Sequence, residues 1–494
     1  MKKKVGVILT AGLMAGAVLM SAGLAGCNSA KITEFVMPEG GYDGKKVTIT
    51  FANTTGSDLE GVISDALERF NELYPNITVN VDNNTKNWDD LSKKIGNKLS
   101  TGKQPNVAFC YSDHVATYNR ANAVVALDQF FLPGSGYEEM TVTNTEGTES
   151  LGLTQEQVED YIEAFYEDGG AKVYADGHTY TLPFAKSTEV LFYNKTKFKE
   201  LGIVDENGEA KAPTTWTEFE EVSKKLAAVD NSSIALGYDS EANLFITMCE
   251  QLELEYTSLD RDNHYLFNTE DHKDFVKQLK SWYDNRYLIT RETNSGTYTS
   301  NLFKIVEANK KRIFMCIGST GGAQYQIPDS TDGQGLFDVG VAPIPQKYST
   351  DPEHPEYKEG YVPKAILQGP NVCIFKKANP QEVLASWLLV KFLTTDAEFQ
   401  GRYSMESGYS PVTYSAFNNP VYKEFRSKNS LMARVATVCY EYAQEDAFFT
   451  SPAFIGSSTA RAQVGALVKN YLDGSQKNID TAFNNAIQEC SRYR

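Results

Sequence analysis

"KKVTITFANTTGSDLEGVISDALERFNELYPNITVNV", residues 45–81, carries three different periodicities in succession. Val47, Ile49 and Phe51 alternate with polar neighbours, the period of a strand with one buried face. Leu59, Val62, Ile63, Ala66, Leu67 and Phe70 then recur at helical spacing until Pro75 stops them. "ITVNV" returns to strand. Downstream, "WDDLSKKIGNKLSTG" predicts a helix ended by Gly102, and "NVAFCY" predicts a third strand. Strand, helix, strand, helix, strand is the order of an α/β sheet with parallel strands.

The alternation continues less regularly. "TEVLFYN", "SIALGY", "RIFMCIG" and "NVCIFKKA" predict strands, and "FDVGVAPIP" predicts an edge-like one. "TWTEFEEVSKKLAAV" predicts a helix capped by Thr214 or Thr215, and "HKDFVKQLKSWYDN" another. After residue 379 the chain reads as mostly helical, ending in "TARAQVGALVKNYLDG" and "NIDTAFNNAIQECS". Residues 133–150 and 346–360 read as surface loops.

Upstream of the first strand, Lys2, Lys3 and Lys4 precede an uncharged run from Val5 to Leu24. A basic start, an apolar middle and a small-residue end form the layout of a secretory signal. A permanent membrane span is the alternative, since the run is long enough to cross a bilayer. Leu24-Ala25-Gly26-Cys27 resembles the bacterial lipobox, which implies cleavage before Cys27 and a diacylglycerol on its thiol. Residues 1–26 are then a signal peptide and 27–44 a lipidated tether.

About 465 residues remain, more than one hydrophobic core usually serves, so two domains are expected. The formal charge is −17, and more negative still without the leader lysines, which disfavours nucleic acid as a partner. The chain has 28 tyrosines, side chains that pair a flat apolar face with a hydroxyl and suit a polar, stackable ligand. Beyond Cys27 stand Cys110, Cys249, Cys316, Cys373, Cys439 and Cys490, with no C-x-x-C pair. Cys110, Cys316 and Cys373 sit in apolar runs and read as buried free thiols.

No nucleophile elbow, H-E-x-x-H, P-loop or G-x-G-x-x-G fingerprint is present. His114, His178, His264, His272 and His354 lack metal-ligand spacing, and "DENGE" at 205–209 lacks the pattern of a calcium loop. No metal, cofactor or enzymatic activity is therefore expected. A glycoside-acting enzyme would need two facing carboxylates, which a sequence with 64 acidic residues cannot single out.

Several segments in order resemble the extracellular solute-binding proteins of ABC importers. They are residues 48–79, "LSTGKQPNVAFCYSDHVATYNRANAVVALDQF", "TLPFAKSTEVLFYNKTKFKELGI" with "PTTWTEF", and "LQGPNVCIFKKANPQEVLASWLLVKFLTT" through "SGYSPVTYSAF". The resemblance implies a periplasmic-binding-protein-like fold of type II, with two discontinuous α/β lobes, a hinge and a ligand cleft. The first lobe would comprise 45–186 with 369–408, the second 187–368 with 409–494. The chain would cross near Lys186, Gly369 and Tyr409.

Within that family the segments are similar to those of glycerol phosphate binders. Carried over by position, Trp88 and Asp89 would face ligand, Ser187 and Thr188 would sit at the hinge, and Ser319, Gly369, Tyr409 and Arg461 would complete the pocket. Comparison with sugar binders adds Asp113. Where those relatives have a tryptophan-rich stretch, this chain has "GYDSEANLF", residues 237–245, bringing Asp239 and Glu241. Added carboxylates would repel a phosphate and suit sugar hydroxyls, so a neutral mono- or oligosaccharide leads, with glycerol 3-phosphate or a glycerophosphodiester second. Each residue also has a purely structural reading: Trp88 as packing, Asp89 and Asp113 as helix caps, Ser319 as a turn residue, Arg461 as a surface ion pair. The implied protein is a monomeric receptor, exported and lipid-anchored to the outer face of the cell membrane, that hands its solute to an ABC permease. The rivals are a cell-surface glycoside-acting enzyme and a surface lipoprotein that binds host or polymer targets.

Overall fold

The computed structural model describes residues 32–54, 56–85, 87–131, 139–328 and 336–493; the leader and Cys27 lie outside them. Two five-stranded sheets organise these residues. The first runs in the order Ile77–Asp82, Val47–Ala52, Val107–Cys110, Asn371–Ile374, Thr181–Pro183. Its first three strands are parallel, in register from Val47↔Ile77 to Ala52↔Asp82. Asn371–Ile374 is antiparallel to both its neighbours. The helices Ser57–Leu73 and Trp88–Leu99 form the crossovers between the parallel strands.

The second sheet runs Val339–Ala342, Glu189–Asn194, Arg312–Ser319, Ser233–Tyr238, Leu288–Thr290. Every residue of Glu189–Asn194 and of Ser233–Tyr238 is buried. Helices on both faces remove the alternation that a half-exposed strand would show, which is why these strands read as continuous apolar runs. Val339–Ala342 is an edge strand, as its sequence suggested. Thr181–Pro183 and Leu288–Thr290 were not legible; each has three residues, and Pro183 is tolerated because its strand ends the sheet. The stretch read as a loop at 133–150 contains a hairpin, Thr141–Asn144 paired with Gly147–Ser150.

The helix Pro380–Thr395 packs on the first sheet, and Ala397–Ser407 packs on Ser57–Leu73. Ser457–Leu472 and Ile479–Cys490 pack together, the former against Glu241–Gln251 beside the second sheet. Thr215 caps the helix Trp216–Ala227, accepting from the Glu218 amide at 3.2 Å. Cys110, Cys249, Cys316, Cys373, Cys439 and Cys490 are buried free thiols. No described helix is long and apolar enough to cross a membrane.

Three chain segments run between the sheets and pair with one another. Lys186 bridges Ser410, and Ser187 bridges Gln368. The Ser187 and Gln368 amides each donate to the other's carbonyl, at 2.9 and 2.8 Å. Gly369 holds φ +93°, a left-handed conformation, and a Cβ there would stand 2.3 Å from the Ala185 carbonyl oxygen. The crossing is thus a small antiparallel ladder whose closest approach requires glycine.

Candidate ligand-binding cleft

A cavity of about 930 Å³ opens beside this ladder, walled from both sheets. On the first-sheet side, Asn87 caps the helix Trp88–Leu99 by accepting from the Asp90 amide at 2.9 Å, which places Trp88 at the cavity. Its ring lies 5.6 Å from that of Tyr111, at the end of the strand Val107–Cys110. Asp113 follows in the first turn of the next helix, and its Oδ1 is buried with no hydrogen-bond partner. Asp168 completes this wall. It accepts from Lys186 Nζ at 2.6 Å and from Asn371 Nδ2 at 2.8 Å.

The opposite wall begins where the strand Ser233–Tyr238 ends. Asp239 Oδ1 accepts from the amide and hydroxyl of Thr299, each at 2.7 Å, while burial pushes its carboxyl above the ordinary value. Ser240 caps the helix Glu241–Gln251. Glu241 Oε1 accepts from the Glu292 amide at 2.8 Å. Arg291 lies over the Tyr298 ring at 4.3 Å. The hydroxyls of Tyr256 and Thr257 are buried at the cavity without a partner.

Arg461 projects from the helix Ser457–Leu472. Its Nη2 donates to Asn243 Oδ1 and, at 3.3 Å, to Gln368 Oε1 in the crossing ladder. Asn243 Nδ2 in turn donates to Glu189 Oε1 at 2.6 Å, and the Tyr238 hydroxyl donates to the other oxygen of Glu189. Burial pushes the Glu189 carboxyl up to about 7. A hydrogen-bonded chain therefore links the cavity face of Arg461 to a carboxyl in the core.

Of the residues suggested by the sequence, Trp88, Asp113, Glu241, Gly369 and Arg461 line this cavity. Ser187 and Thr188 are buried at the crossing, where Thr188 Oγ1 donates to the Ile366 carbonyl at 2.9 Å. Ser319 Oγ accepts from the Gly321 amide at 3.3 Å, and Ser319 does not line the cavity. Tyr409 packs its ring against Gly321, and burial pushes its hydroxyl up to about 12. The Asp89 side chain lies outside the described residues. Tyr111, Asp168, Tyr256, Arg291 and Gln368 line the cavity without having been singled out. Nothing local marks Asp168 among so many acids, because Lys186 and Asn371 reach it only through the fold.

The wall carries the carboxylates of Asp113, Asp168, Asp239, Glu241 and Glu292 against the cations Arg291, Arg461 and Lys469. Lys469 is paired with Asp473 at 3.0 Å. Among the described residues there is no group of three or more His, Cys, Asp or Glu placed to hold a metal. Aromatic faces, unpartnered hydroxyls and surplus acceptors suit a polyhydroxylated organic molecule.

Two α/β sheets joined by three crossing segments, with a polar aromatic cleft beside the crossing, define a receptor that holds a solute between two lobes. The chain belongs to the bacterial extracellular solute-binding protein family, whose pattern matches residues 65–428. It is 25% identical over 261 residues to the sn-glycerol-3-phosphate-binding periplasmic protein UgpB of Brucella melitensis, covering 51% of this chain and 54% of that one. It is 28% identical over 195 residues to UgpB of Shigella flexneri, covering 39% of this chain and 38% of that one. The chain spans about half or less of the length of these curated relatives. Among solved structures, UgpB from Mycobacterium tuberculosis in complex with glycerophosphocholine superposes with a TM-score of 0.67 at 18% identity, over 91% of this chain and 98% of that one. The GacH receptor of Streptomyces glaucescens, solved unliganded and with acarbose, gives 0.63 at 15% identity, over 91% and 100%. MalE from Bdellovibrio bacteriovorus bound to maltotriose gives 0.60 at 18% identity, over 90% and 99%. These likenesses establish the shared fold.

Proposed function

We propose that this protein is the lipid-anchored receptor of an ABC importer and captures a neutral carbohydrate, which it delivers to a membrane permease without chemical change. The observation that carries the substrate class is the buried Asp113 Oδ1, which accepts no hydrogen bond although His114 Nε2 stands 3.9 Å away, accompanied by the hydroxyls of Tyr256 and Thr257, also without hydrogen-bond partners. A buried acceptor without a donor costs free energy, and a sugar hydroxyl would relieve it. The surplus of carboxylates argues the same way, since each accepts from a hydroxyl and repels a phosphate. Trp88 and Tyr111 supply faces for stacking.

Capture would proceed by closure of the lobes 45–186/369–408 and 187–368/409–494 about the crossing ladder, with ligand stabilising the closed state. Cys27 would hold the receptor at the outer face of the cell membrane, and Cys27→Ser should release it with binding intact; attachment that persists would point to an uncleaved span instead. A second reading, glycerol 3-phosphate or a glycerophosphodiester, draws on Arg461, whose remaining guanidinium donors match an oxyanion. The names of the relatives support it too.

Calorimetric titration of the mature protein with mono- and oligosaccharides, glycerol 3-phosphate and glycerophosphocholine tests the proposal. Tight binding of a saccharide that is recovered intact is the expected result. Hydrolysis of the saccharide would replace the receptor by an enzyme, and exclusive binding of the phosphates would promote the second reading.

A further inference from the structure

A further cavity adjoins the cleft at Tyr256 and Thr257. This second chamber of about 540 Å³ lies on their far side, and the two cavities share Ile246, Tyr256, Thr257 and the segment Thr450–Pro452 as their common wall. The helix Glu241–Gln251 runs along both: Glu241 and Ala242 face the first cavity, Ile246 both, and Cys249 and Glu250 the second. At 1.5 Å per residue, Glu241 and Glu250 are separated by about 13 Å of helix, more than one sugar ring spans.

The chemistry of the second chamber differs from that of the first. Its lysines are already partnered, Lys358 with Glu253 at 2.8 Å and Lys364 with Glu250 at 3.4 Å, so neither is left for an anionic group. Tyr361 is held in place by its hydroxyl, which donates to Gln346 Oε1 at 3.1 Å, and with Phe449 it lines the chamber. Glu255 adds a third carboxylate that no lysine pairs, so the pocket carries a small acidic excess beside its aromatic faces, which disfavours an anion and suits hydroxyls. At its boundary stand two buried hydroxyls without partners, those of Tyr256 and Thr257.

Resting on the carbohydrate reading above, we infer that the second chamber is a binding site for further sugar units of one elongated ligand. The solute is therefore a neutral oligosaccharide, with its chain passing Tyr256 and Thr257 and stacking on Tyr361. A monosaccharide or a compact glycerol phosphate would leave the chamber unused.

The test is calorimetric titration of the mature protein with malto-, cello-, xylo- and manno-oligosaccharides of two to five units. The series that binds should gain at least about tenfold in affinity from the shortest to the longest member, the equivalent of one added site of modest strength. Val362→Trp, at a position 38% exposed on the chamber's lining, should cancel that gain and leave disaccharide affinity within about twofold. Retained disaccharide binding also shows that the variant is folded. Thr257→Val should reduce the gain without filling the space. Equal affinity at every length, or a gain that survives Val362→Trp, overturns the role of the chamber and leaves the carbohydrate reading standing. Binding of none of the saccharides overturns that reading itself, and this inference with it.

Discussion

Lys186 Nζ lies 2.6 Å from Asp168 Oδ2, and the Lys186 side chain is wholly buried whereas that of Asp168 keeps 17% exposure at the cleft. The pair ties the first crossing segment to the cleft wall, because Lys186 also donates to the Gly369 carbonyl at 3.3 Å on the second crossing. Its two halves should not be equally costly to remove. Asp168→Asn strands a buried ammonium and should destabilise the fold by about 3 kcal/mol in denaturant unfolding. Lys186→Met leaves a carboxylate that can reach water and should cost less. The double variant should be more stable than Asp168→Asn alone. Equal costs for the two single variants would show that the pair is solvated.

Gly369 is predicted to be intolerant of any side chain. Alanine there combines a left-handed φ of +93° with a Cβ 2.3 Å from the Ala185 carbonyl oxygen, so the ladder must part. Gly369→Ala should lose more than about 2 kcal/mol of stability. It should also weaken ligand binding, since Gln368, which meets Arg461, moves with it.

Glu189 should give the protein a pH-dependent stability. Its carboxyl rises from an ordinary value of 4.5 to about 7 by burial, offset in part by Tyr238, Asn243 and Arg461 and reinforced by Asp239. The folded state therefore binds a proton that the unfolded chain releases. This contribution is complete below about pH 4.5 and is lost as the pH rises through 7, a change on the order of 3 kcal/mol. Glu189→Gln should flatten the decline in denaturation midpoint between pH 5 and 8. Arg461→Ala should move the transition to higher pH, because the cation that favours the carboxylate is gone. A wild-type midpoint independent of pH over this range would contradict both expectations.

Asp113 should separate binding from folding. Its Oδ1 accepts no hydrogen bond in the free protein, and His114 Nε2 approaches it only to 3.9 Å, so Asp113→Ala should change stability little. Saccharide affinity should fall about tenfold or more, the worth of a hydrogen bond to a charged acceptor. A loss of stability with affinity preserved would return Asp113 to the role of a helix-turn residue.

The legible parts of this molecule were those governed by local periodicity. The strands Val47–Ala52, Glu189–Asn194 and Arg312–Ser319, and the helices between them, follow from the spacing of apolar residues and from stops such as Pro75. Short elements escaped: in Thr181–Pro183 pairing with Asn371–Ile374, and not propensity, decides the strand. In the cleft, Trp88, Asp113 and Arg461 were reachable because the resemblance allowed them to be carried over by position. Asp168, Tyr256 and Gln368 were not, because their surroundings are assembled from residues far apart in the chain.

By itself the sequence determined an α/β protein with buried central strands, since side-chain spacing along one segment fixes which face of a strand or helix is apolar. The tertiary structure alone decided which polar groups are left without partners. Asp113 and Tyr256 resemble many other acids and tyrosines in the chain until folding removes water from them. Desolvation is a property of the whole packed arrangement, and it is desolvation that turns an ordinary carboxylate or hydroxyl into one that needs a ligand.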